Sequence, residues 1–345
     1  MAITDFEQVT AEWLTEVLRR GGFLEQGTVV SVEVTPQKTN TASVANLKLT
    51  YSDGAQTRAP RALFLKLSDF RREVDFYRTV VPAMESTPLI LACYDAEWDE
   101  DAGTSHLLLE DVSATHMTSE MTLPPSTPRY EQLTHALAQF HAFWWDHPRI
   151  YGDVGALAGD VHDATIARAR ESFAGFVDFM GDRMSDQRRA VYERLFALWP
   201  PRHFRERMAQ NKGLTLIHGD AHAWNFLYPR DPEAHRVRIL DWALWQIGPA
   251  TNDLAYMIAM HDFPDYRARM ERPLVRSYYD RLVKLGVEGY SWDDCWLDYR
   301  LSAIHNLFFP VYHWSVKGDP ALWWPNFERA MLAYYDLRCE DLLED

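Results

Sequence analysis

The sequence predicts an α+β protein in two lobes, a small antiparallel-sheet part followed by a larger, mostly helical one. Three observations predict it. Between residues 28 and 68, apolar and polar residues alternate with period two, the signature of half-buried strands. From residue 129 onward the apolar period becomes helical, and in that second part only "LTLI", "NFLYP" and "VRIL" look like strands. These shifts place a first lobe at 1–110 and a second at 111–345, with the Pro-rich "LPPSTPRY" as a linker just past the boundary.

The elements follow in order. Residues 5–20 read as a helix with Phe6, Val9, Trp13, Leu14, Val17 and Leu18 on one face, ended by Gly21 and Gly22. "TVVSVEVTP", "VANLKLTYSDG" and "RALFLKLS" read as antiparallel strands cut by turn residues. "FRREVDFYRTVVP" reads as a short helix stopped by Pro82, and "LACYDAEWDEDAGTSHLLLED" as a hairpin with an acidic, Gly-containing turn. In the second lobe, Leu133, Leu137, Phe140, His141, Trp144 and Trp145 share a helical stripe. "FAGFVDFM", "AVYERLFALW", "DLAYMIAM" and "PLVRSYYDRLVKLG" continue the helical pattern.

Composition narrows the function. Lys plus Arg is 35 against 50 Asp plus Glu, a formal charge of -15, which argues against a nucleic-acid or anionic-membrane partner. It suits a cationic substrate and equally suits plain solubility. Cys93, Cys295 and Cys339 are far apart and show neither metal-ligand spacing nor an even disulfide framework. The first residues carry acids and no apolar signal core, and no run reaches the length of a membrane span. A soluble cytoplasmic chain, monomer or homodimer, is expected.

The chemistry concentrates in "LIHGDAHAWNFLY", Leu216 to Tyr228. "NFLY" and "VRIL" should pair as a hairpin, which sets Asn225 at the start of one strand beside Asp241 at the end of the other. An amide oxygen and a carboxylate next to the loop carrying Asp220 make a hard-oxygen site of the kind magnesium accepts together with substrate phosphates. Asp220 and Asn225 are five apart, the step of a kinase catalytic loop. A metal-dependent hydrolase using His218, Asp220 and His222 also accounts for "HGDAH", but leaves Asn225, Asp241 and Lys66 without roles. A kinase-fold binding protein without chemistry is a further alternative.

"HGDAHAWN" followed by "ILDW" resembles the kinase-like small-molecule phosphotransferases: aminoglycoside phosphotransferases, choline kinases and ecdysteroid kinase-like proteins. "VTAEWLTEVLRRGGFLEQGTVVSV" and "LAQFHAFWW" are similar to bacterial ecdysteroid kinase-like proteins. The resemblance implies a protein-kinase-like fold, ATP and Mg2+ as cofactors, and transfer of the γ-phosphoryl group to a hydroxyl of an aminoglycoside, choline-like or steroid-like acceptor. It implies Asp220 as catalytic base, and Asn225 and Asp241 as metal ligands in a cleft between the lobes. Lys66 would contact the nucleotide phosphates, held by Glu73 on the following helix. "LLLEDV", with Glu110 and Asp111, is similar to the segment whose backbone receives adenine. A phosphate-covering loop is expected over 38–49, where no glycine occurs, with Thr39, Asn40, Thr41 and Ser43 as donors. His218 is expected to brace the loop, and Asp253, in "IGPATNDLAYMI", to open a helix and tie back to it. His222 is read as structural or as facing the metal shell or the acceptor mouth, and Trp245 is placed at the acceptor mouth or, like Trp242, Trp314, Trp323 and Trp324, in the core.

Overall fold

A computed structural model describes residues 2–37, 42–58, 60–84, 87–119, 123–158 and 161–343. The chain divides into two compact units. The first is Met1–Thr118 with Leu227–Ala243, and the second is Ser119–Phe226 with Leu244–Asp345.

In the first unit, α1 (Ala11–Arg20) starts at Thr10, whose hydroxyl accepts from the Trp13 N–H. The helical period seen over 5–20 is therefore split. Asp5 caps a separate 3-10 turn at Phe6–Gln8, and Val9 between them is extended. Two N-capping residues so close together start two helices rather than one. Leu14, Val17 and Leu18 of α1 are buried against a five-stranded sheet, while Trp13 and Phe6 are only partly covered.

The strands of this unit are β1 (Leu24–Gln26), β2 (Val29–Gln37), β3 (Ser43–Tyr51), β4 (Gln56–Thr57), β5 (Ala62–Ser68), β6 (Cys93–Asp99), β7 (Thr104–Glu110) and β8 (His116–Met117). The sheet order is β2-β3-β5-β7-β6, with every pair antiparallel. On β5, Leu63, Leu65 and Leu67 are buried, and the alternation turns Lys66 to the other face, opposite Val44 in register. The helix after β5 runs through α2 (Arg71–Asp75), a wide turn at Phe76–Val80, and α3 (Val81–Ala83). It thus extends one residue past Pro82. The later hairpin, β10 (Phe226–Pro229) and β11 (Arg238–Ile239), joins β8 in a second sheet of order β11-β10-β8.

The second unit is helical except for β9 (Thr215–Ile217), paired antiparallel with β12 (Gln246–Gly248). Its helices are α4 (Thr127–Trp144), α5 (Asp153–Ala158), α6 (Val161–Met180), α7 (Asp186–Leu198), α8 (Arg202–Gln210), α9 (Thr251–Ala255), α10 (Pro264–Lys284), α11 (Trp292–His305), α12 (Phe308–Ser315) and α13 (Pro320–Asp336). Every residue of α9 and of the wide turn Tyr256–Met260 that continues it is buried. A helix buried on all sides belongs at a centre, and this one is packed by α10, α11 and α13. No helix among the described residues is long and apolar enough to cross a membrane.

Candidate active site

The loop between β9 and β10 is held by one buried carboxylate. Asp253 lies in the first turn of α9 and is 1% exposed. Its Oδ2 accepts from the His218 N–H at 2.7 Å, and its Oδ1 from the Gly219 N–H at 2.9 Å. The Nε2 of His141, on α4, lies 3.1 Å from Oδ2, and the Nδ1 of His141 lies 2.7 Å from the Tyr278 hydroxyl. Two loop amides and a histidine thus converge on a carboxylate that burial would otherwise penalise. The His218 ring is fully buried, and its Nδ1 accepts from the Asp220 N–H at 3.2 Å.

Gly219 is required for this loop to close. Its φ is +82°, and a Cβ there would lie 2.2 Å from the Leu244 carbonyl oxygen. Gly219→Ala is expected to cost about 2–4 kcal/mol, combining left-handed strain with a backbone clash. A urea unfolding midpoint close to the parent's would contradict this.

Beyond Gly219 the loop folds onto itself. The His222 N–H donates to the Asp220 carbonyl at 2.8 Å, and the Asn225 N–H to the His222 carbonyl at 2.9 Å. The Asn225 side-chain Nδ2 donates to the Asp220 carbonyl at 2.8 Å and to Asp220 Oδ2 at 3.2 Å. The five-residue step therefore locks the carboxylate and the amide to each other. With its nitrogen engaged in the loop, the Asn225 side chain keeps its oxygen as an acceptor.

His222, Tyr256 and His313 interact with Asp220, and His261 packs behind His222. His222 Nε2 is 3.5 Å from Asp220 Oδ2, and its Nδ1 is buried without a hydrogen-bond partner. Tyr256 is raised well above the ordinary tyrosine range by burial, then by the charge of Asp220 and a hydrogen bond to it. His261, 5.7 Å from the His222 ring, is pushed down to about 3 by burial and by His222. His313 is lowered by burial, with Asp220 opposing the shift. Sequence reasoning did not single out Tyr256, His261 or His313. The available signal was position: Tyr256 follows Asp253 by three residues, and His261 ends the same buried helix.

In the first unit a second constellation forms. Lys66 Nζ lies 2.7 Å from Glu73 Oε2 and 2.8 Å from Asp241 Oδ1. Burial opposes the charge on Lys66, but the carboxylates of Glu73 and then Asp241 outweigh it and raise the ammonium above its ordinary value. Glu73, buried more deeply, is pushed up by desolvation, with Lys66 opposing and Asp241 reinforcing the shift. With two carboxylates within 3 Å of the ammonium, the charged form of Lys66 is the one the geometry selects. Asp241 has a left-handed φ of 58°, a conformation aspartate tolerates better than most residues and one often held at functional sites.

The remaining expected residues are placed as follows. Glu110 ends β7; its N–H donates to the Ala92 carbonyl, and its Oε1 accepts from the Ala92 N–H at 3.0 Å. Asp111 accepts from the Ser113 N–H at 2.8 Å and from Asn46 Nδ2 at 2.7 Å. Both side chains are thus spent on shaping the segment. Ser43 opens β3 and is exposed, while Thr39, Asn40 and Thr41 lie outside the described residues. Trp245, one option for the acceptor mouth, is 0% exposed, as is Trp242, so neither presents a surface to a solute. Trp242 stacks on Phe76 at 4.1 Å. Lys66, Glu73 and Asp241 are therefore brought together in the first unit, and Asp220, Asn225, His218, His222 and Asp253 in the second. Among the described residues no group of three or more His, Cys, Asp or Glu is placed to hold a metal ion.

Comparisons with known proteins bear on the fold. Residues 153–287 match the ecdysteroid kinase-like family. A candidate aminoglycoside phosphotransferase from Ralstonia eutropha superposes with a TM-score of 0.61 at 17% identity, covering 96% of this chain and 98% of its own. A spectinomycin phosphotransferase, solved with ADP and spectinomycin, gives 0.54 at 12% identity over 96% and 99%. A choline kinase from Streptococcus pneumoniae gives 0.50 at 13% identity over 94% and 98%. No curated protein matches in sequence. The fold is that of the kinase-like small-molecule phosphotransferases, and residues 153–287 carry the sequence signature of ecdysteroid kinase-like proteins.

Proposed function

We propose that the protein transfers the γ-phosphoryl group of ATP to a hydroxyl of a small molecule. The observation that carries this reading is Lys66, a lysine held charged between Glu73 and Asp241. A fixed ammonium beside a carboxylate is what nucleotide phosphates with their magnesium require. Lys66 binds the phosphates and Glu73 holds its position. The Asn225 amide oxygen and the Asp241 carboxylate are hard ligands suited to Mg2+, which when bound neutralises phosphate charge. Asp220 orients the acceptor hydroxyl and takes its proton as the acceptor oxygen bonds to phosphorus and the bond to the β-phosphate oxygen breaks.

The side chains set against Asp220 also support an acceptor class. They are the rings of His222, Tyr256 and His313, with His313 lowered by burial and His261, behind His222, driven neutral, so an uncharged alcohol suits them better than a polycationic aminoglycoside. Acceptor-stimulated ADP release across a panel of hydroxylated compounds tests the function, and ADP release that no hydroxylated compound stimulates would overturn it.

Metal dependence gives a second test. Magnesium keeps its waters and takes phosphate oxygens as ligands, so its binding should be weak alone and strengthened by ATP. Asp241→Asn is expected to weaken the metal–nucleotide complex and slow turnover together. Calorimetry of Mg2+ with and without ATP reads the first effect. Tight zinc binding that disappears in a His218→Ala, His222→Ala double variant would support the hydrolase instead.

A further inference from the structure

The second unit encloses a cavity of about 700 Å3 that the proposed reaction does not use. That volume lies within the range of small-molecule pockets. Ile150, Ile166, Trp199, Phe204 and Leu301 wall it, and His305 closes one side. Asp220 does not line it. His162, Asn252 and His305 of its lining also pack around a small void next to Tyr256, which is hydrogen-bonded to Asp220.

His305 marks it as a built site. The residue is 4% exposed, and its Nε2 has no hydrogen-bond partner, a costly state for a buried polar atom. Burial pushes its pKa down to about 4, so at neutral pH the ring is uncharged. A neutral imidazole presents either an N–H or a lone pair at Nε2, and a hydroxyl satisfies either, since it both donates and accepts. Three charged side chains lie on the lining: Asp163 at the exposed rim, and Arg170 and Asp298, which have protein partners. Asp298 accepts from Arg207 and from the Tyr290 hydroxyl, and Arg170 donates to the Phe196 carbonyl. Trp199 and Phe204 lie 5.9 Å apart at 33° and Trp199 lies 5.6 Å from the His305 ring, so the wall beside His305 is aromatic.

We infer that this cavity binds an uncharged aromatic alcohol at a position separate from the reacting hydroxyl. The test titrates the full chain, without nucleotide, with 2-naphthol and with naphthalene, so it does not depend on phosphoryl transfer. Saturable binding of 2-naphthol is expected, about 10-fold tighter than naphthalene because one neutral hydrogen bond is gained. His305→Phe keeps a ring and removes the orphan nitrogen; it should bind the two probes alike, with a thermal midpoint no lower than the parent's. Ile166→Trp, at a half-buried position on α6, fills the cavity and should abolish binding of both. Absence of saturable 2-naphthol binding, its survival in Ile166→Trp, or an unchanged preference for 2-naphthol in His305→Phe would each overturn the inference.

Discussion

Asp220→Asn is expected to lose at least about 10²-fold in turnover while ATP affinity stays near the parent value. The substitution keeps the shape of the side chain and removes the base. The loop should survive it, because the Asn225 amide also donates to the Asp220 backbone carbonyl, and Asp253 holds the His218 and Gly219 amides independently. The phosphates are assigned to Lys66 and the metal, neither of which the change touches. Turnover on an identified acceptor, paired with calorimetric ATP binding, separates the two effects. Near-parent turnover would show that the base has been placed on the wrong residue. Loss of ATP binding together with turnover would show instead that the loop had rearranged.

Asp253→Ala is expected to be the most damaging substitution for stability. It removes one carboxylate and strands three buried groups at once: the His218 and Gly219 amides and the His141 imidazole. Breaking a buried hydrogen-bonded charge of this kind costs about 3–5 kcal/mol. A cap at the start of α9 would be worth only about 1 kcal/mol, so the size of the loss distinguishes a loop anchor from a helix cap. Denaturant unfolding measures it, and a loss near 1 kcal/mol would assign Asp253 the smaller role. His141→Ala, which leaves both amides paired, should cost less than Asp253→Ala.

Different parts of the molecule were legible in the sequence to different degrees. The main sheet was readable because β2, β3 and β5 are seven to nine residues long and bury one face, so period two is sustained. β1 and β4, three and two residues long, are too short to show any period. Lys66 could be flagged because a lysine on the half-buried face of a strand needs a partner, and Glu73 is the acid on the following helix. Val9 could not be foreseen as a break, because the two capping residues around it compete with an unbroken apolar stripe. Tyr256, His261 and His313 were hidden for another reason. They sit on or at the end of helices that are largely buried, where an aromatic or histidine reads as core until Tyr256 and His313 are seen to interact with Asp220 and His261 with His222. Trp245 shows the converse: an aromatic beside the motif that is fully buried.

The first unit is discontinuous, and this sets a schedule during synthesis. A ribosome delivers residues up to Thr118, then all of Ser119–Phe226, and only afterwards Leu227–Ala243. Until that last segment emerges, β8 has no β10 to pair with and the Ile239 amide cannot reach the Leu89 carbonyl. Lys66 meanwhile has Glu73 but not Asp241. The nascent unit therefore waits with an open strand edge, the kind of surface that invites pairing with other chains. Chaperone occupancy should be greatest in that interval, and a fragment ending at Thr118 would carry the same open edge permanently.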